Sequence, residues 1–187
     1  NAWVQADQQT HGDIVITHYG LESGVIYKLG RELRGLHKQN QKLKLHLDLL
    51  PDVSIEQLIQ KLQGNKKQSL TNLWRKAGLD TVKINLLREI VDKRFWSDAK
   101  QMAQQIKQLA IDLDGFRPIE EAISCAGGVK QEALSAQLQL QSNPHVFCCG
   151  EMLDWDAPTG GYLLTACFAT GRAAGQGVHE FLESSSV

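Results

Sequence analysis

Leu43, Leu45, Leu47 and Leu49 alternate with polar residues through KLKLHLDLL (42–50), the period of a strand with one buried face. Pro51 ends the run. Ser54 with Gln57 is a capping-box pair, and Ile55, Leu58, Ile59 and Leu62 fall on one face of the helix it opens. Upstream, DIVITHYG (13–20) is β-branched and stops at Gly20, predicting a short strand; Val25, Ile26, Leu29, Leu33 and Leu36 then recur at helical spacing between residues 22 and 37. The polar stretch GNKKQS (64–69) reads as a loop. Helices are predicted over 69–77, over 80–94 with Asp80 as N-cap, and over 97–107 with Ser97 as N-cap. LAIDLDG (109–115) returns to alternation and predicts a strand ending at Gly115.

Beyond residue 116 the pattern changes. RPIEEAISCAGGV (117–129) starts with an Arg-Pro step and closes on a Gly-Gly turn, and LQLQ (138–141) and HVFCCGE (145–151) read as strands. The continuous apolar run Val146 to Cys149 predicts a strand buried on both faces, as in a parallel sheet. Gly160-Gly161 precede a helix from about Tyr162 to Leu182, roughly 30 Å long at 1.5 Å per residue. Ala, Cys, Thr and Gly fill its interior, and Gly171 and Gly175 stand one turn apart, a smooth face for close approach. A strand ending at Gly150-Glu151 would deliver one carboxylate to the carboxyl edge of a sheet, where α/β folds bind ligands. Glycines at a helix start leave its first N–H groups open to an electron-rich atom. The unit fits a polyhydroxyl chain held by the carboxylate and an anionic or carbonyl group held by the helix; glycines doing backbone work alone remain the alternative.

The chain has 187 residues and a net charge of −1, enough for one ordinary domain or two small ones with a real core. The charge is unevenly spread. Residues 28–107 carry seventeen basic and eight acidic side chains, residues 108–187 three and ten, which suggests two regions with different surroundings. No apolar run approaches the roughly 20 residues of a membrane span, and the start lacks a signal-peptide pattern. Cys125, Cys148, Cys149 and Cys167 form no C-x-x-C, and the six His are scattered, so neither a disulfide framework nor a metal site is indicated. The expected setting is cytoplasmic, with reduced thiols. Asn1-Ala2 without an initiator Met reads as a trimmed start or a piece of something longer.

The stretch VFCCGEMLDWDAPTGGYLLTACFATGRAAG (146–175), with RPIEEAISCAGGV, resembles the C-terminal FAD-binding signature of the bacterial NAD(FAD)-utilising dehydrogenase or aminoacetone-oxidase-like flavoprotein family. GLESGVIYKLG (20–30), LKLHLDLLPDVSIEQL (43–58), KKQSLTNLWRKAGL (66–79) and INLLREI (84–90) follow in the order of that family's insert domain. The resemblance implies that Gly150 and Glu151 reach the flavin ribityl chain. It places Gly160, Gly161 and Tyr162 by the flavin ring, and has Ala126, Gly127, Gly128 and Val129 line the same pocket. A complete member begins with G-x-G-x-x-G holding the cofactor's pyrophosphate, and that spacing is absent from this sequence. The chain would therefore be the C-terminal half of an FAD-dependent oxidoreductase, holding FAD weakly or not at all alone, with NAD(P)H a candidate electron donor for the parent. Its first partner would be the missing N-terminal dinucleotide-binding half, and the exposed apolar surface left behind suggests pairing with a second copy.

No catalytic residue is named. Asp154 and Asp156 flank Trp155 in what reads as a solvated loop. Cys125 could face a flavin, but buried small thiols usually serve packing, the role expected of Cys148 and Cys149, and His179 suits the end of a helix dipole. The rival function is a basic helical module: NKKQSLTNLWRKAG (65–78) could grip phosphates while Trp74 stacks on a base. Amphipathic helices with solvated Lys faces account for the same residues and are favoured. The expected fold is α+β. Residues 1–117 form an insert unit, with a small sheet or barrel and strand and helix over 13–50 and a helical cluster over 54–107; residues 118–187 form the strand-helix segment of a Rossmann-like FAD domain.

Overall fold

The computed structural model describes residues 1–4, 9–63, 68–123, 125–157 and 160–184. The loop expected over 64–69 lies in part outside them. The chain divides into two compact units, Asn1–Gly115 and Phe116–Val187.

The first unit runs β1 (Ala2–Trp3), β2 (Val15–Thr17), β3 (Gly20–Glu22), α1 (Gly24–Lys38), β4 (Leu43–Leu47), α2 (Ile55–Leu62), α3 (Leu70–Ala77), α4 (Thr81–Ile90), α5 (Ala99–Lys107) and β5 (Leu109–Leu113). β4 lies between β1 and β5 in an open antiparallel sheet, with Leu45 opposite Ile111 and Ala2 opposite Leu47. The alternation in β4 works as expected through Leu47: Leu43, Leu45 and Leu47 are buried, while Lys44 points outward and pairs with Asp112 at 3.3 Å. The strand ends there, short of Leu49 and Pro51, because Leu49 N turns to Ile106 O and Asp48 Oδ1 accepts from Leu50 N. The strand expected over 13–20 instead folds back on itself, because the Thr17 hydroxyl donates to Gly20 O at 3.1 Å and closes a two-residue turn. β2 and β3 form that hairpin, and among the described residues no barrel closes.

Trp74, Leu58, Ile84, Leu87, Met102, Ile106 and Leu109 are essentially inaccessible, each side chain contributing on the order of 2 kcal/mol by leaving water. α2 packs against α5 and α3. Trp96 meets Trp74 edge-on at 5.7 Å and donates its Nε1–H to Val91 O at 2.9 Å. Helix starts follow side-chain capping. Ser54 and Gln57 complete the capping box, and Asp80 accepts from Lys83 N. At α5 the cap is Asp98 rather than Ser97, its carboxylate accepting from Lys100 N and Gln101 N. α4 stops at Ile90, short of 94, because Asp92 accepts from Arg94 N and starts a separate 3-10 turn. Lys107 ends α5 with an ion pair to Asp48 at 2.7 Å and donates to Leu50 O and Val53 O, so one ammonium ties the exit of β4 to the helical layer.

Among its described residues the second unit has one long element, α6 (Tyr162–Ser184), and single 3-10 turns at Ile119–Glu121, Gln131–Ala133 and Gly150–Met152. Neither LQLQ nor HVFCCGE forms a strand. They meet through isolated bridges, Leu140 N donating to Val146 O at 2.8 Å and Cys148 N to Leu138 O at 3.0 Å. A ladder on both sides needs two neighbours, and among the described residues this run has one. Cys148 is buried, while Phe147 and Cys149 are half-buried, so the run has one covered face instead of two. The expected strand-helix segment is thus a helix with folded-back loops.

Residues 134–148 pack on the later half of α6. Phe147 and His145 meet Phe181 edge-on, and Ala174 is buried. The close approach falls at Gly177, where a Cβ would stand 2.6 Å from Gln137 O; at Gly171 and Gly175 it would meet nothing within 4 Å. Leu164, Phe168, Val178 and Leu182 share the open side with those two glycines and are exposed. The apolar arc of α6 is covered along one half only.

Candidate functional site

The Ala126–Val129 loop and the turn after Gly150 meet through backbone hydrogen bonds. Val129 N donates to Met152 O at 2.7 Å, and Asp154 N donates to Val129 O at 2.9 Å, the two bonds of a parallel bridge between Val129 and Leu153. A Cβ on Gly128 would lie 2.4 Å from Met152 O and 2.7 Å from the Leu153 carbonyl carbon, so only glycine permits this approach. Gly127, at φ +102, has open space where its Cβ would be.

Gly150 is left-handed, at φ +64, and sits on the middle of α6. Its N–H donates to Thr170 Oγ1 at 3.0 Å, and its carbonyl accepts from Trp155 Nε1 at 3.3 Å. The space above its Cα is closed by Cys167 Sγ, 3.3 Å from where a Cβ would stand. Glu151 follows and is exposed.

Gly160 and Gly161 take φ +112 and +86 and turn the chain into α6. Thr165 N donates to Gly161 O at 3.1 Å. Helix geometry leaves the N–H groups of 162–164 at the open end. Tyr162 is 62% exposed. Cys167, where Gly150 rests, lies five residues into the helix, roughly 8 Å along its axis. The structure therefore joins the 126–129 loop to the 150–154 turn directly and connects both to the Gly-Gly helix start through α6. Pro158 and Thr159 lie outside the described residues.

Three features escaped the sequence reading. Thr170 and Trp155 hold the two ends of the Gly150 peptide, and the only hint in the sequence was a hydroxyl among small residues. A shallow hollow of about 460 Å³, lined by Lys130, Gln131, Glu132 and Asp154, lies beside the loop joint. In the first unit an open hollow of about 710 Å³ is lined by residues including Trp3, Gln9, Ile55 and Lys107.

Cys125 is exposed and Cys148 buried. His179 pairs with Glu183 at 3.3 Å one turn on. Trp74 is 1% exposed, which removes the base-stacking role from the nucleic-acid alternative. Among the described residues, no His, Cys, Asp and Glu group could hold a metal ion, and no helix is long and apolar enough to cross a membrane.

A loop clamped to a Gly-Glu turn, seated on a helix that starts from paired glycines, leaves unobstructed main chain at Gly127 and Gly161. The sequence profile of the HI0933-like protein Rossmann domain matches residues 8–177, and the chain belongs to that family. The match starts near the beginning of the chain and takes in most of both units; it is not confined to the later segment that carries the Gly-Glu and Gly-Gly pairs. The 3-dehydro-bile acid delta(4,6)-reductase of Clostridium scindens is 25% identical over 185 residues, covering 90% of this chain and 44% of the reductase. The chain thus spans less than half the length of that relative.

Proposed function

We propose that this chain supplies the ribityl and ring side of the FAD site in an FAD-dependent oxidoreductase. On this reading the first unit is the substrate-covering insert, residues 118–187 are the last flavin-domain segment, and the chain is the C-terminal half of its parent. The observation that carries it is the Gly128 joint: a position that excludes any side chain, beside a left-handed Gly150 that presents Glu151 to solvent.

The residues fit one part of the cofactor. At Gly127 and Gly161, both at positive φ, the site of a Cβ is empty, leaving bare backbone for a flat ring or a polyol to approach. Exposed Tyr162 and Met152 add apolar surface. The amides at the start of α6 would face the electron-rich edge of the ring, where the helix dipole stabilises negative charge, and Glu151 would accept from ribityl hydroxyls. The sequence has no glycine-rich strand-to-helix turn for the pyrophosphate, so that anchor is assigned to a separate dinucleotide-binding part. When bound, the flavin supplies the two-electron chemistry; the residues here bind, orient and exclude water. The name of the C. scindens relative favours reduction as the direction to assay first, with NAD(P)H as donor.

Titrating FAD into this chain and into the full-length protein that carries it, followed by flavin fluorescence, tests the reading. Stoichiometric binding by the full-length protein, weakened about tenfold or more by Glu151→Ala, is expected, with weak or no binding by the chain alone. Unchanged affinity in Glu151→Ala would refute the ribityl assignment, and tight binding by this chain alone would refute the half-site.

A further inference from the structure

We infer that Thr170 is a positioning residue for Glu151, acting through the Gly150 peptide; the inference rests on the flavin reading above. The Thr170 hydroxyl donates to Ala166 O at 2.7 Å, with Cys167 O at 3.3 Å as a second acceptor, and accepts from Gly150 N at 3.0 Å. Back-bonding to the carbonyl one turn earlier is how a threonine inside a helix ordinarily uses its proton. That bond fixes the hydroxyl rotor, and the oxygen's remaining lone-pair capacity is spent outside the helix, on the amide of the turn.

The consequence falls on the next residue. Gly150 at φ +64 is a backbone state available at little cost only to glycine, and glycine alone is a hinge with many alternatives. Thr170 holds the N–H side of that hinge and Trp155 the carbonyl side, while Cys167 Sγ closes the space over the Cα. Thr170 ties the peptide before Gly150 to α6, and the Trp155 bond, made within the turn, holds the peptide after it, so the start of Glu151 is set relative to α6, the helix whose N-terminus forms the other part of the proposed site. Glu151 is exposed, so this arrangement adds little to the core. Its value lies in where the carboxylate begins. Charge placed by pre-formed backbone binds without paying to order it.

The test is a double-mutant cycle in the full-length protein, reading FAD affinity by flavin fluorescence and the visible flavin spectrum at saturation. Thr170→Val, which keeps the shape and loses the acceptor, is expected to weaken FAD roughly five- to tenfold, the equivalent of one lost hydrogen bond. Thr170→Ser restores affinity to within about twofold, since the hydroxyl is kept. In the Glu151→Ala background Thr170→Val should add nothing, because the residue it positions is gone. Thr170→Ala, a better helix former than threonine, repeats the experiment should the valine variant fold poorly. Full affinity in both Thr170→Val and Thr170→Ala while Glu151→Ala weakens binding overturns the positioning role and leaves the flavin reading standing. So does an undiminished Thr170→Val effect without Glu151. A Glu151→Ala variant with unchanged affinity overturns both.

Discussion

Adding one methyl group to Gly128 should undo the joint between the two loops. Built at ideal geometry, the Cβ of Gly128→Ala would stand 2.4 Å from Met152 O, 2.7 Å from the Leu153 carbonyl carbon and 2.8 Å from Leu153 O. All three are backbone atoms, so no side-chain rotation relieves the clash. The segments must part by several tenths of an ångström or more, starting from hydrogen bonds of 2.7 and 2.9 Å. Losing both bonds costs about 2–3 kcal/mol at 1–1.5 kcal/mol each. If local opening governs exchange, that corresponds to roughly 30- to 150-fold faster amide exchange at Val129 and Asp154. Hydrogen exchange read by NMR, or by mass spectrometry on peptides spanning 126–131 and 150–156, measures it directly. Met152→Ala keeps the carbonyl and should leave both amides protected, and exchange in the first unit should not change in either variant. Val129 and Asp154 amides as protected in Gly128→Ala as in the parent chain would refute the close packing on which the candidate site rests.

Three further outcomes are expected. Gly177→Ala should destabilise α6 by about 1–3 kcal/mol, because its Cβ would meet Gln137 O at 2.6 Å and Phe147 Cε1 at 3.1 Å; Gly171→Ala points into open space and should stabilise the helix by about 0.5–1 kcal/mol, so thermal melts of the two variants should shift in opposite directions. Lys107→Met strands the Asp48 carboxylate, which is mostly buried with it, and should cost about 2–3 kcal/mol after discounting for partial exposure; urea unfolding measures this, and adding Asp48→Asn should recover part of the loss. The Glu56 carboxyl is held below its ordinary 4.5 by its own backbone amide and the Ser54 hydroxyl. Its contribution at the start of α2 is therefore present above pH 4.5 and lost as pH falls through the lower, folded-state value, and carboxyl NMR titration should show Ser54→Ala moving Glu56 back up.

Local patterns carried much of the first unit and far less of the second. The leucine alternation of β4 and the Ser54–Gln57 capping box depend on residues within one turn or one strand, and both appear where the sequence puts them. The α5 cap moved from Ser97 to Asp98 because adjacent residues were both capable and the carboxylate could accept from two amides. HVFCCGE illustrates the other case. A short apolar run becomes a strand only when neighbours complete its ladder; here the folded-back 138–140 segment and α6 give it one covered face. The same non-local dependence governs the helix glycines. Nothing in their spacing distinguishes Gly177 from Gly171 or Gly175, since the contact partner is Gln137, forty residues earlier. Of the candidate site, the glycine pairs were legible as glycines. Their mutual placement, and the roles of Thr170 and Trp155, required the backbone path of the loops.

The clasp at Val129 involves main-chain atoms and one absent methyl, and that sets which changes inheritance can tolerate there. The clasp itself places no demand on the side chains at 152 and 153 so long as the peptide groups stay in register. An insertion or deletion between Gly150 and Asp154 would slide one carbonyl out of reach and present the wrong amide to Val129, whereas length changes in the intervening 130–149 stretch leave the clasp itself intact. Among descendants of this sequence, alignment gaps should cluster before Gly150 and be rare in the four residues that follow it.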